Sequence, residues 1–442
     1  MTSGKPLKLI WNFTIPLLIG NLFQQLYNMA DTFIVGRTIG VQALAAVGST
    51  GSIAFLIIGF ATGLTAGLAI PLAQRFGAKD YKGVKHSFYV SILISIAVAI
   101  VLTALSMIFC RQILEIMQTP SEIIDGAYDY LIVIFGGIFS SMAYNLLSNI
   151  FRSIGDAKTP LYFLVMACVM NIILDIVFIA VFGMGVEGAG YATVLSQIFS
   201  AVACVVYIWK KIPVLRLTKE DLVATKRNIR EHCRISFPMA FQASIIAIGT
   251  IMVQIALNQL GPTSVAAHTA AQKIDQLAIL PMMSFGVTMA TYSAQNFGAK
   301  KYDRIWLGVR ECIKLSLTFA IVVGIILNLF SPILIRAFVG EGHEDVVELG
   351  RLFFLTNGTT YSFLSLLFIY RYTLQGVGKT FTPTLAGIME LIMRSVAAVV
   401  LSNMYGFVGA TVANPMAWFG SMVPLMIAYY IFKNKVQHGV EQ

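Results

Sequence analysis

The chain has 442 residues, of which 57% are hydrophobic and only 12% charged. A soluble domain carries about 25% charged residues, so these values exclude a water-facing globule and, with the long apolar runs, indicate a polytopic membrane protein. The net charge of +10 falls on alternate loops, which makes it a topology signal and excludes nucleic acid as a partner.

Twelve apolar spans are predicted, at 9–36, 44–74, 86–110, 121–148, 160–183, 187–209, 235–260, 265–295, 307–331, 346–371, 382–403 and 408–432. Each is long enough to cross about 30 Å of hydrocarbon. Lys5 and Lys8 precede the first run as they would in a signal peptide. That run continues through Asp31 to Arg37 without a small-residue cleavage site, so it is read as a retained span. Within it Gln24, Asn28 and Asp31 follow i, i+4, i+7 and share one helix face. A charge at membrane depth costs at least a few kcal/mol, so Asp31 should face a protein interior or a wet cavity. The functional reading is an ion or proton site, and the bland one a polar residue buried between packed helices. Pro16 removes a backbone hydrogen bond from the same span and predicts a kink.

The second span carries Gly59, Gly63 and Gly67 at every fourth position, a small-residue face for close helix packing. Helix starts are expected at Thr119-Pro120-Ser121-Glu122, at Thr159-Pro160 and at Thr382-Pro383, where a cap precedes a proline. The fifth span holds Asn171 and Asp175 on one face, and the sixth holds Thr193 and Gln197 likewise. Two carboxylates, an amide and a hydroxyl form either an oxygen-rich cage for a hard cation or a carboxylate pair that holds a proton. A basic stretch at 210–234 then divides the chain. Beyond it the interior charges are Lys273 and Asp275 in the eighth span and Glu390 and Arg394 in the eleventh. Glu390 and Arg394 are i, i+4 and are expected to form a structural ion pair. Asp275 and Glu390 are second candidates for coupling or for holding substrate charge, and Lys273 and Arg394 are the cations placed deep in spans.

The five cysteines are widely spaced with no CxxC, and read as buried apolar residues. The five histidines make no metal-binding spacing, and no phosphate-loop, dinucleotide or nucleophile-elbow motif points to an enzyme. Lys and Arg concentrate on the loops that share a side with the N-terminus, among them Arg371. The opposite side carries only Arg37, Arg111, Arg336 and Arg351, which places both termini in the cytoplasm.

The chain also repeats. Phe76-Gly77-Ala78-Lys79 recurs as Phe297-Gly298-Ala299-Lys300, Ile15-Pro16 as Phe237-Pro238, and Gly155 with Pro160 as Gly378 with Pro383. Six spans per repeat put both halves in the same orientation. The expected fold is an all-α polytopic membrane protein with twelve transmembrane helices in two parallel-repeat six-helix bundles and a central cleft. The halves are 1–209 and 235–442, joined by the 210–234 linker. The acids do not repeat: Met252 or Val253 stands opposite Asp31, and Ala398 opposite Asp175.

Several stretches together carry a family resemblance: MADTFIVGR around Asp31, the pair QRFGAKDY and QNFGAKKY, RSIGDAKTP, NIILD at 171–175 and GVEGAGYAT up to Thr193. Over nearly its full length the chain resembles the multidrug and toxic compound extrusion (MATE) family, and most closely its DNA-damage-inducible-type prokaryotic branch. The resemblance implies a secondary antiporter of the cell (inner) membrane that exports organic cations or other amphipathic compounds in exchange for H+ or Na+. It implies no cofactor, and the protein is expected to act as a monomer in the bilayer. It maps the coupling site onto Asp31, Asn171, Asp175 and Thr193, and matches Pro16 to a helix bend. Another branch of the family has coupling acids in the seventh and tenth spans, where this chain has none in the span bodies. The alternatives are a lipid-linked precursor flippase, an exporter of a specific metabolite, and a channel.

Overall fold

In lipid, every backbone N–H and C=O must be satisfied within the protein, and for a chain of apolar runs the helix does this locally. The computed structural model describes residues 1–117, 119–340 and 342–439, and among these it contains helices and no strands. The first half comprises α1 (Pro6–Thr38), α2 (Val41–Gly77), α3 (Tyr81–Ile116), α4 (Ile124–Gly136), α5 (Ile138–Ser153), α6 (Lys158–Asp175) and α7 (Val186–Lys211). The second half comprises α8 (Lys226–Gln259), α9 (Pro262–Gly298), α10 (Tyr302–Val339), α11 (Glu344–Asn357), α12 (Tyr361–Gly376), α13 (Phe381–Val396) and α14 (Ser402–Gln437).

These pieces make the twelve spans expected. Helices α4 and α5 form one span bent by 48°, and a short 3-10 turn at Gly358–Thr360 joins α11 to α12. The helical stretch Phe381–Gln437 holds two spans, because Gly406 breaks it at φ 58°, ψ −134°. Both α6 and α13 end in a π-helical turn, at Ile176–Val181 and Ala397–Leu401. The two π turns occupy equivalent places in the two halves.

The chain forms two compact units, Ile15–Ser244 and Met1–Thr14 together with Ile245–Gln442. The boundaries fall inside α1 and α8. The first turns of α1 therefore belong with the second half, where Thr14 Oγ1 lies 2.8 Å from Thr288 Oγ1. The first half of α8 belongs with α2. A Cβ on Gly67 would lie 2.5 Å from Ser236 Cα, and one on Gly63 would lie 2.6 Å from the Met239 carbonyl oxygen. Two of the three glycines in the expected stripe thus make the close approach, while Gly59 faces open space.

The repeated FGAK turns have the same backbone. Lys79 (φ 62°) and Lys300 (φ 55°) both adopt the left-handed conformation, uncommon for a residue with a Cβ. Each turn holds a nearby chain segment within its own unit. Arg75 Nη2 donates to Glu231 at 2.9 Å, and Arg304 Nη2 donates to the Gly4 carbonyl at 3.0 Å.

The basic stretch differs from expectation. Helix α7 runs on to Lys211 and α8 starts at Lys226, so only 212–225 lies between them. That segment is tied down where Lys85 Nζ meets Asp221 Oδ2 at 3.1 Å. Helix starts differ too. Helix α4 begins only at Ile124, beyond the Thr119–Glu122 motif. At α6 the cap is Asp156, whose carboxylate accepts from the Lys158 and Thr159 N–H groups at 3.0 Å each. A carboxylate one turn upstream is the stronger acceptor for exposed N–H groups.

Candidate ion-coupling site

Three helices of the first unit bring four predicted residues together. Asp31 lies on the C-terminal half of α1 and is 8% exposed, while Asn171 and Asp175 on α6 are fully buried. The carboxyl groups of Asp31 and Asp175 lie close enough to interact. The Asn171 amide, oriented to satisfy both its ends, donates to Asp175 Oδ2 at 3.0 Å and accepts from the Thr193 N–H at 3.2 Å. Tyr27, one turn before Asp31 on α1, donates its hydroxyl to Thr193 Oγ1 at 3.0 Å. Helix period places Tyr27 beside Asp31 and Asn171 beside Asp175. The third partner, Thr193, comes from the first turns of α7.

No ion pair to Asp31 or Asp175 is present among the described residues. Asp31 Oδ1 and Asp175 Oδ1 are both buried without a hydrogen-bond partner. A buried carboxylate oxygen left unpaired is costly in a medium without water. Paired carboxyl oxygens of this kind can take up a proton or a small cation. Asp175 is also the last α-helical residue before the π turn. π turns recur at functional sites because the extra residue leaves backbone groups loosely held.

The other first-half candidates lie elsewhere. Gln24 and Asn28 are exposed, so the stripe shared with Asp31 is not a buried one. The helical period puts three residues on one side, but neighbouring helices cover only the Asp31 end. Gln197 accepts from the Ser141 hydroxyl of α5 at 2.6 Å, which makes it a packing contact within the bundle. Pro16 sits inside a helix that remains continuous from Pro6 to Thr38, one residue past the boundary between the two units.

In the second unit, Glu390 binds Arg394 on its own helix at 2.8 Å and also Arg371 of α12 at 2.6 Å. All three are 4% exposed. Arg371, read from sequence as a loop charge setting topology, is thus an interior residue. It also donates to Ser421 of α14 at 3.2 Å. Lys273 lies within α9, inside a span as expected, and its side chain is exposed. Asp275 is buried and accepts from the Tyr361 hydroxyl at 2.5 Å.

The MatE family model matches residues 16–177 and again residues 238–400. The chain belongs to the MatE family. The two matches are displaced by the repeat shift read from the sequence, so the duplication is a property of the family. A Bacillus subtilis relative named probable multidrug resistance protein YoeA is 27% identical over 98% of this chain and 96% of its own length. A Shewanella oneidensis relative named FAD transporter is 22% identical over 92% of this chain and 91% of its own. A solved MOP-superfamily transporter from Pyrococcus furiosus has the same fold, with TM-score 0.90 at 23% identity over 99% of this chain and 98% of that one. This MatE protein is a multi-pass membrane transporter of a multidrug exporter family and not an enzyme.

Tyr27 and Arg371 are among the residues of the MatE chain's polar interior that were not found from its sequence. Tyr27 was discoverable, since it stands at i−4 from Asp31, but a tyrosine in an apolar run passes for packing. Arg371 gave no signal, because it stands near a predicted span end where snorkelling arginines are common.

Proposed function

We propose that the protein is a proton-coupled antiporter that exports amphipathic organic cations across the cell membrane by alternating access. The observation that carries this reading is the contact between Asp31 and Asp175, each with one buried oxygen unpaired. Two facing carboxyls hold one proton between them. Losing it leaves two adjacent anions whose repulsion, in a low-dielectric site, separates α1 from α6. Asn171, Thr193 and Tyr27 hold the pair in register. The π turn after Asp175 supplies a place where α6 can change register without breaking its whole hydrogen-bond ladder. Proton entry from outside and drug release then become alternative states of one element. The Lys and Arg distribution supports cytoplasmic termini.

The test is efflux of a fluorescent organic cation from proteoliposomes, with pH and sodium gradients imposed separately. Wild type should export under the pH gradient. Asp31→Asn and Asp175→Asn should each lose gradient-driven export while binding the dye. Export driven only by sodium would replace the proton with Na+ in the same site. Gradient-driven export retained in the Asp31→Asn, Asp175→Asn double variant would remove the site from coupling. The relative named for FAD makes a flavin nucleotide the second substrate to load.

A further inference from the structure

We propose that the first unit binds an anionic phospholipid in a groove between α3, α5 and α7, at a place separate from the coupling site. The groove has a volume of about 370 Å³, within the range of sites that hold sizeable ligands. Its walls are apolar and include Ile92 and Ala99 of α3, Met142 and Leu146 of α5, and Val205 of α7. It follows α3 from Phe88 to Ala99, which at 1.5 Å per residue is about 16 Å. That is close to the depth of one leaflet's hydrocarbon, half of about 30 Å. The length and lining fit one acyl chain.

The mouth of the groove is not apolar. Trp209 and Arg216 line it. Trp209 is 68% exposed in the last turn of α7, the place where an interfacial tryptophan sits at headgroup level. Arg216 Nη2 donates to the Lys210 carbonyl at 2.9 Å, which folds the guanidinium over the end of α7 and leaves the rest of its fork open. Lys210, Lys211 and Lys219, within six residues of it along the chain, are exposed. Of the two nearby acids, Asp221 is already committed to Lys85 and Thr218, and Glu220 alone is exposed. The rim is therefore cationic, beside an apolar slot one leaflet deep. Basic pockets of this kind between transmembrane helices recognise anionic headgroups. A phosphatidylglycerol-like lipid satisfies both parts, with its chain in the slot and its phosphate at Arg216.

The experiment uses the full transporter in detergent micelles doped with phosphatidylglycerol or phosphatidylcholine brominated on the acyl chain. The readout is the quenching of tryptophan fluorescence that disappears in Trp209→Phe. Brominated phosphatidylglycerol should quench Trp209 at a lower mole fraction than brominated phosphatidylcholine. The exposed variant Lys210→Gln/Lys211→Gln/Arg216→Gln should lower that preference by roughly fivefold for each charge removed. Ala143→Phe, on the half-buried wall of the groove, should weaken quenching by both lipids. Equal quenching by the two lipids in wild type would overturn the proposal, as would a preference that survives removal of the three charges. Displacement by soluble glycerol phosphate alone would assign the rim to free phosphate and refute the acyl slot.

Discussion

Glu390 offers the sharpest test of the second unit's interior. Its carboxylate is shared by Arg371 at 2.6 Å and Arg394 at 2.8 Å, and all three residues are 4% exposed. Glu390→Ala leaves two buried guanidinium groups without a counter-ion. Breaking one buried pair by removing a partner costs about 3–5 kcal/mol. Here one deletion breaks two pairs, so the expected loss is about 5 kcal/mol. That equals the whole stability of a marginal protein, and the variant should fail to give a monodisperse folded peak on mild heating in detergent. Arg394→Met should cost far less, because Arg371 and Glu390 remain as a neutral pair with Ser421 still in place. The triple variant Arg371→Met/Glu390→Leu/Arg394→Met removes all three charges of the cluster and should unfold within a few degrees of wild type, since apolar replacement of a buried ionic triad is often neutral or better. The assay is thermal unfolding of each purified variant by fluorescence-detected size exclusion. Glu390→Ala unfolding at the wild-type temperature, or the triple variant faring as badly as Glu390→Ala, would refute the reasoning.

Two further tests address packing and pH. Gly67→Ala should destabilise by about 1–3 kcal/mol, because its Cβ would meet Ser236 Cα at 2.5 Å, whereas Gly59→Ala, facing open space, should be neutral; the two melting temperatures decide it, and equal effects would deny the α2–α8 contact. Hydrogen bonds from the Thr218 hydroxyl and N–H, with Lys85 adding to them, hold the Asp221 carboxyl down at about 2. Since the folded value lies below the ordinary one of about 3.9, its contribution is present above about pH 4 and is lost as pH falls towards about 2. The stability gap between wild type and Asp221→Asn should close over that interval, and a gap independent of pH would exclude the bond.

What was legible in the sequence follows from the solvent. Lipid leaves an apolar run one choice, the helix, so the number of spans and the duplication can be read from hydropathy and repeated motifs. The 3.6-residue period then places Asn171 beside Asp175, and Glu390 beside Arg394, without any knowledge of the neighbours. The same arithmetic fails wherever a second helix decides the outcome. It put Gln24 and Asn28 with Asp31, yet only Asp31 is covered. It left Arg371 in a loop, where it is buried.

The sequence by itself therefore determined the fold class, the twelve spans and the four oxygen-bearing residues worth testing. Only the tertiary structure decided that Asp31 faces Asp175, that Tyr27 braces Thr193, that Glu390 serves two arginines, and that α1 and α8 each divide between two units. The reason is geometric. Periodicity reports which residues share a side of one helix, whereas contact across helices depends on rotation and tilt, which are set by close packing at places such as Gly63 and Gly67.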